Sequence, residues 1–373
     1  MSKLRLAMVG GGPGSFIGPV HRLAAELDGE IALVAGAFSA DAGRSAETGR
    51  GYGLDPDRAY ASYQEMIAAE ARRPDGAQIV AVVTPNHLHL PVATAALDAG
   101  LAVVSDKPAT ATLAEARELA AVVARTGGPY ALTYTYTGYP MLREARAIVA
   151  SGRLGRVRKA VVEYPQGWLS GAVEGANKQA AWRVDPAQAG QGGCIGDIGV
   201  HAFNALEFVT GAKVVELCAQ LSSVGEGRRL DDDCNLLLQL DNGAPAVLEA
   251  SQISAGARNG LRLRVYGERG GLDWRHDQPN ELTLDWLDRP SEVLHAGSPY
   301  LSAAAQRVTR LPAGHPEGFI EAFANIYRDV ATQLRTGEAQ PCLQTIDDGL
   351  RSMAFIETAI ASSQARAWRS LKV

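Results

Sequence analysis

Long apolar runs are missing from this chain, and no stretch reaches the length that a membrane-spanning helix needs. The amino terminus lacks a charged segment followed by a long apolar one, so no export signal is expected. A basic excess is missing too. With 36 Lys and Arg against 41 Asp and Glu, the net charge is −5 and the isoelectric point is near 5.9. That balance excludes a nucleic-acid groove, and Arg228-Arg229 is too short a cluster to make one. Cysteine is scarce and scattered at Cys194, Cys218, Cys234 and Cys342, without metal-ligand spacing. The thiols are therefore expected to be reduced, inside the packed interior of a cytoplasmic protein. Repeats and low-complexity tracts are absent. What remains is 46% hydrophobic and 21% charged over 373 residues, a folded soluble chain too long for one ordinary core, so two domains are expected.

The first 130 residues alternate regularly. Apolar, β-rich runs lie at Leu4–Val9, Ala32–Phe38, Ile79–Val83, Leu101–Ser105 and Tyr130–Tyr134. Alanine-rich helical stretches separate them at Pro19–Leu27, Ala40–Tyr52, Tyr63–Arg72, Leu90–Ala99 and Leu113–Arg125, with Gly100 as a C-cap. Strands without polar alternation are buried on both faces, so this half predicts a doubly wound parallel α/β sheet over residues 1–135. From about residue 155 the pattern changes. Strand-like segments at Arg156–Tyr164, Val214–Val224, Cys234–Leu240, Ala246–Ile253, Leu261–Tyr266, Gly271–Arg275 and Glu281–Asp285 follow with few helices between them. Hairpin signals at Asp241-Asn242-Gly243 and Glu268–Gly271 make residues 136–373 an α+β domain with a large, mostly antiparallel open sheet. Helices are expected at Ile195–Thr210, His315–Arg335 and Ile346–Ser363, the last ones packing back on the first domain. Pro290–Pro312 reads as a long surface loop that could cross to a neighbouring subunit.

Four clusters carry chemistry. The first strand runs into Gly10-Gly11-Gly12-Pro13-Gly14-Ser15-Phe16-Ile17-Gly18 and then a helix. Glycines let the backbone N–H groups approach a phosphate, and the strand–loop–helix context makes a dinucleotide-binding turn, although the third glycine falls late, at Gly14 or Gly18. The second cluster, Thr84-Pro85-Asn86-His87-Leu88-His89, and the third, Asp106-Lys107-Pro108, each follow a strand. Ligands bind at those carboxyl ends in open α/β sheets, though Asn86 could equally cap the next helix. The fourth is Gly192-Gly193-Cys194-Ile195-Gly196-Asp197-Ile198-Gly199-Val200-His201. A helix beginning near Ile195 puts Asp197 and His201 on one face, where its dipole disfavours protonated histidine and so favours a proton acceptor. No metal cluster is apparent, and His21, His276 and His295 read as structural or surface residues.

Taken in this order and spacing, the glycine loop, Thr-Pro-Asn-x-x-His, x-Lys-Pro and Gly-Gly-x-x-x-Asp-x-Gly-x-His resemble the Gfo/Idh/MocA oxidoreductases over essentially the whole chain. Asp106 stands where that family usually has glutamate. The resemblance implies an N-terminal Rossmann domain binding NAD through Gly10, Gly12, Gly14, Ser15, Phe16, Ile17, Ser39, Arg44, Thr84, Pro85, Asn86, His89, Asp106 and Lys107. It also implies catalysis by Lys107, Asp197 and His201. Lys107 would hold the reacting hydroxyl, Asp197 would bind substrate, and His201 would be the acid–base. Ser39 suits either a ribose hydroxyl or a phosphate, and Arg44 could meet a 2′-phosphate, so NADP stays open beside NAD. Tyr136, Trp168, Arg183 and His315 are candidate contacts to a cyclic polyol or pyranose, flat faces and forked donors suiting a ring of hydroxyls. The expected activity is oxidation of a secondary alcohol on such a ring; the alternatives are a redox glycosidase and a nucleotide sensor. The antiparallel sheet, with Arg262 and Arg264 amid apolar neighbours, together with the family's habit, implies a homodimer or homotetramer.

Overall fold

The computed structural model describes residues 2–171 and 190–373. It divides into two compact units, one built from the chain up to Tyr134 with Phe323–Met353, the other from Thr135–Ala322 with Ala354–Val373.

The first unit holds a five-stranded parallel sheet: β1 (Leu4–Gly10), β2 (Ile31–Ala37), β3 (Ile79–Val83), β4 (Ala102–Ser105) and β5 (Tyr130–Leu132), in the order β2-β1-β3-β4-β5. Helices α1 (Ile17–Glu26), α2 (Ala42–Gly51), α3 (Tyr63–Glu70), α4 (His89–Asp98) and α5 (Leu113–Thr126) connect the strands. Every residue of β3 is buried, as its unbroken Ile-Val-Ala-Val-Val run requires in a doubly wound sheet. Local chemistry sets the boundaries: Thr112 and Glu115 form a capping box at the start of α5, and Gly127 closes it in the left-handed conformation. Buried His21 on α1 packs edge-on against Phe323 and bonds to the Tyr327 hydroxyl at 2.7 Å.

In the second unit a nine-stranded sheet runs β13-β12-β11-β10-β6-β9-β8-β7-β14. Its strands are β6 (Val157–Pro165), β7 (Val214–Ser222), β8 (Asp233–Leu240), β9 (Pro245–Ser251), β10 (Arg262–Gly267), β11 (Gly270–Arg275), β12 (Glu281–Trp286), β13 (Glu292–His295) and β14 (Arg369–Ser370). Helices α6 (Pro140–Ala150) and α7 (Val200–Thr210) pack on one another and against this sheet, and α7 is buried along nearly its whole length. Phe203 of α7 stacks on Phe355, ring centres 4.2 Å apart. On the sheet's other face Val161, Val247 and Leu237 stand in register, beside ion pairs joining Arg264 to Glu163 and Arg262 to Asp273.

The structure departs from the sequence reading in four places. Helix α6 was not expected. The stretch 290–312 is no simple surface loop: it contains β13 and the one-turn helix α8 (Ala303–Gln306), and it buries Leu294, Leu301, Ala305 and Val308. Helix α9 (Phe319–Thr336) begins four residues after His315, while α10 (Ile346–Ala365) starts at the expected residue. Cys194, Cys234 and Cys342 are buried free thiols, but Cys218 on β7 is half-exposed. No helix among the described residues is long and apolar enough to cross a membrane.

Burial of His21 dictates a pH dependence. Desolvation holds its imidazole down at about 4, against the opposing pull of Asp106. Below pH 6.5 the unfolded chain takes up a proton that the folded state refuses until near pH 4, so stability falls as pH drops through that window. This one group should remove about 3 kcal/mol across it. Urea unfolding of His21→Gln should show a shallower loss between pH 7 and pH 4 than the native chain; equal slopes would refute the assignment.

Candidate active site

In the first unit the three sequence clusters emerge from the carboxyl ends of β1, β3 and β4. Strand order reverses between β1 and β3, and the glycine loop leaves the sheet at that point, where such sheets bind ligands. Gly10 has φ +85°, and a Cβ there would stand 2.2 Å from the Val83 carbonyl oxygen. A Cβ on Gly12 would meet the Phe38 carbonyl oxygen at 2.5 Å, and one on Gly18 would strike the Gly11 Cα at 2.5 Å. Gly18 therefore takes the packing role of the third glycine, letting α1 come close to the loop, while Gly14 lies at φ +79° in the inserted turn. Ser15 Oγ accepts from the Gly18 N–H at 3.1 Å, Ile17 opens α1, and Phe16 is exposed.

After β3, Asn86 opens a 3-10 turn rather than capping α4, so the capping alternative is corrected: α4 begins at His89 with no side-chain cap. His89 is buried and ties two loops together. Its Nδ1 lies 2.7 Å from the Pro108 carbonyl oxygen and its Nε2 2.9 Å from that of Thr84. Burial lowers its affinity for a proton, outweighing the attraction of Asp106 and of the two carbonyls. The Asp106 carboxylate turns back to accept from the Lys107 N–H at 2.8 Å and the Thr133 hydroxyl at 3.1 Å, which shapes the loop under the half-buried Lys107. The Lys107–Pro108 bond is cis. Beyond β2, Ser39 is half-buried with its Oγ accepting from the Asp41 N–H, and Arg44 is exposed in the first turn of α2, which Asp41 caps.

The fourth cluster belongs to the second unit. Ile195–Gly199 forms a π-helical turn, with the Val200 N–H donating to the Ile195 carbonyl, and α7 continues from it. Asp197 and His201 are both half-buried on this segment, and Gln252 donates to Asp197 Oδ2 at 2.9 Å. Around His201 stands an aromatic cage: Tyr136 is edge-on at 5.1 Å between ring centres and Tyr164 at 6.4 Å. The Tyr136 and Tyr164 hydroxyls bond to each other, and Asn259 ties both to Gln166 and His276. His276 also reaches the Tyr139 hydroxyl at 3.0 Å. Burial raises Tyr136 to about 12, so the phenol stays protonated near neutrality. Trp168 is half-buried. Arg183 lies outside the described residues. His315 is exposed, its Nδ1 3.2 Å from the Pro312 carbonyl oxygen, in the segment before α9 and not at a helix start. Gln252, Asn259 and Tyr164 were not foreseen beside this pair, and His276, read as structural or surface, joins their hydrogen-bond network. They come from separate loops and strand ends, so the available signal was register: β6 and β9 run parallel with Pro165 opposite Ser251, which sets Gln166 and Gln252 at neighbouring strand ends.

Comparison with known proteins gives a consistent picture. Residues 4–134 match the oxidoreductase family model with an NAD-binding Rossmann fold, and residues 142–273 match the GFO/IDH/MocA C-terminal domain. The uncharacterised oxidoreductase YfiI of Bacillus subtilis is 36% identical over 99% of this chain and 97% of the relative. The chain belongs to the GFO/IDH/MocA oxidoreductase family. An inositol dehydrogenase homologue from Azotobacter vinelandii, solved with NAD+, superposes with TM-score 0.95 at 36% identity, covering 99% of this chain and 97% of that one. Levoglucosan dehydrogenase of Pseudarthrobacter phenanthrenivorans is 25% identical over 98% of this chain and 97% of its own.

The first unit is thus an NAD-binding Rossmann domain, and its geometry fits the cofactor. The glycine loop brings bare backbone to the strand-order reversal, and the Thr84 hydroxyl is buried with no hydrogen-bond partner among the described residues. Among those residues, no cluster of His, Cys, Asp and Glu could hold a metal ion. Since a Cβ on Gly12 would press on rigid backbone and displace the loop, Gly12→Ala should weaken NADH binding at least ten-fold in a fluorescence titration. Native affinity in that variant would show that the loop does not face the nucleotide.

Proposed function

We propose that this protein is an NAD-dependent dehydrogenase that oxidises a secondary hydroxyl on a cyclic polyol or pyranose sugar. The reading rests on the half-buried Asp197–His201 pair, set in a cage of tyrosines and amides that offers flat faces and forked donors to a ring bearing several hydroxyls. The Azotobacter vinelandii homologue, 35% identical here, was solved with NADH and myo-inositol, which supports the same substrate class. Bound NAD+ supplies the hydride acceptor. Gly10, Gly12, Gly14, Ser15, Phe16 and Ile17 would hold its pyrophosphate, Ser39 and Arg44 its adenosine ribose, and Thr84, Pro85, Asn86, His89 and Asp106 the nicotinamide half.

The protein's own chemistry is then proton transfer and charge stabilisation. His201 takes the hydroxyl proton, Lys107 stabilises the developing alkoxide, and Asp197 holds a substrate hydroxyl while Gln252 fixes its carboxylate. Tyr136, Trp168, Arg183 and His315 complete the set of candidate substrate contacts. We place residues 1–135 as the cofactor domain and 136–373 as the substrate and oligomerisation domain.

A panel of cyclitols and sugars with NAD+ or NADP+, followed at 340 nm, tests the activity: NADH should accumulate with a free ring polyol, whereas a redox glycosidase would release sugar without net NADH. Lys107→Ala should lower kcat by about 10²–10⁴ while leaving NADH binding largely intact, because its main contact is to the reacting oxygen and not to the pyrophosphate. His201→Ala should lower kcat and flatten the acid limb of kcat/KM; a third of native activity in either variant would overturn the roles. Ser39→Asp should sharpen the preference for NAD+ over NADP+, because a carboxylate there repels a 2′-phosphate; an unchanged ratio would mean Ser39 does not face the ribose. For assembly, the Val161, Val247 and Leu237 strip suits self-pairing of the large sheet. Light scattering at micromolar concentration should give a dimer or tetramer, and a monomeric mass would refute it.

A further inference from the structure

The turn that carries Asp197 is held by one residue from far along the chain. Asp231, two residues before β8, is buried. Its Oδ1 accepts from the Gly193 N–H and its Oδ2 from the Ile195 N–H, each at 2.7 Å. Its carbonyl oxygen accepts from the intervening Cys194 N–H, also at 2.7 Å. Three successive backbone donors thus converge on one residue. Glycine is required at 193, where a Cβ would stand 2.1 Å from that carbonyl oxygen.

From this anchor the path to the polar pair is short. The Gly193 carbonyl accepts from the Asp197 N–H at 2.9 Å, and the Ile195 carbonyl accepts from Val200, the residue before His201. We propose that Asp231 is a positioning residue: its ionised carboxylate grips the Gly193 and Ile195 N–H groups on either side of the one its carbonyl holds, and so sets where Asp197 and His201 stand, and protonating it loosens the turn. This rests on the reading of Asp197 and His201 given above.

An ionised carboxylate offers lone pairs to both N–H groups, whereas a protonated one turns an O–H toward one of those donors. Burial pushes Asp231 up to about 6, despite the two N–H bonds that favour its charge. The neighbouring charge of Asp232 pushes the same way, and Asp232 is itself held by Arg228 at 3.2 Å and by the N–H groups of Val224 and Gly225. Among the described residues, the other titratable groups at this turn are the Cys194 and Cys234 thiols and Asp197, and the nearby Arg228 is engaged with Asp232. Burial and the Asp232 charge outweigh the N–H groups, so the grip is expected to tighten as pH rises through about 6.

Hydrogen–deuterium exchange of the full-length protein, read on a peptide covering residues 192–200, tests this together with NMR of 15N-labelled histidine. Asp231→Asn should exchange at least ten-fold faster at pH 7.5 and move the His201 signal, leaving those of His21 and His89 in place. Asp233→Asn, two residues on at the start of β8 and half-exposed, should change neither. In the native protein, protection corrected for intrinsic exchange should fall as pH is lowered from 7.5 to 5, and in Asp231→Asn it should stay flat. If that variant does not fold, the native pH series decides alone. Native exchange and an unmoved His201 signal in the variant, or a flat native series, would overturn the proposal. These measurements follow the turn and not turnover, so an active His201→Ala would sink the catalytic reading while leaving this one standing.

Discussion

Parallel strands deliver all their carboxyl ends to one edge of a sheet, and the candidate chemistry of this chain depends on that constraint. In the first unit the glycine loop, the Thr84 loop and the Lys107 loop leave β1, β3 and β4 at the same edge because all five strands point one way. Three clusters spread over more than 90 residues of sequence are thereby gathered without any long-range motif. His89 then fixes the second to the third by reaching a carbonyl in each. The glycines matter for the same reason: where β1 and β3 lie side by side, any Cβ at Gly10 would collide with the last carbonyl of β3.

The second unit repeats the device in a different setting. Its sheet is antiparallel apart from the pairing of β6 with β9 among the described strands, and that exception aligns the strand ends carrying Gln166 and Gln252. Gln252 reaches Asp197, and Gln166 reaches Asn259 and through it the tyrosine pair. A wholly antiparallel sheet would send those two ends to opposite edges.

Much of this was legible in the sequence wherever hydrophobic pattern and structure share a cause. The buried strands of the first unit and the alternating strands of the second read correctly to within a residue or two, since burial on two faces or one dictates the pattern directly. Helix α6 escaped because Arg143 and Glu144, which look like a solvated face, are buried in it. Strand β13 and helix α8 span four residues each, too few to express a period. The cage around His201 was illegible for another reason: Tyr136, Tyr164, Asn259 and His276 occupy four separate elements or loops, and no spacing along the chain encodes their meeting.

Buried charge separates structural from positioning roles. In the first unit Arg58 is sunk against Glu70 and bonds to Asp75, and the Glu70 carboxylate also takes the Tyr60 hydroxyl and the Ala77 N–H. Cation and anion there compensate one another, and such a pair fixes local packing with little net gain in stability. Asp231 differs in kind, because its carboxylate is answered by backbone N–H groups and burial leaves it holding a proton more readily than an ordinary aspartate. A neutral side chain would avoid that desolvation cost, but none offers two equivalent acceptor oxygens to two N–H groups on one turn. The fold keeps an energetically awkward charge at the point where the backbone beneath Asp197 and His201 has to be fixed from outside its own helix.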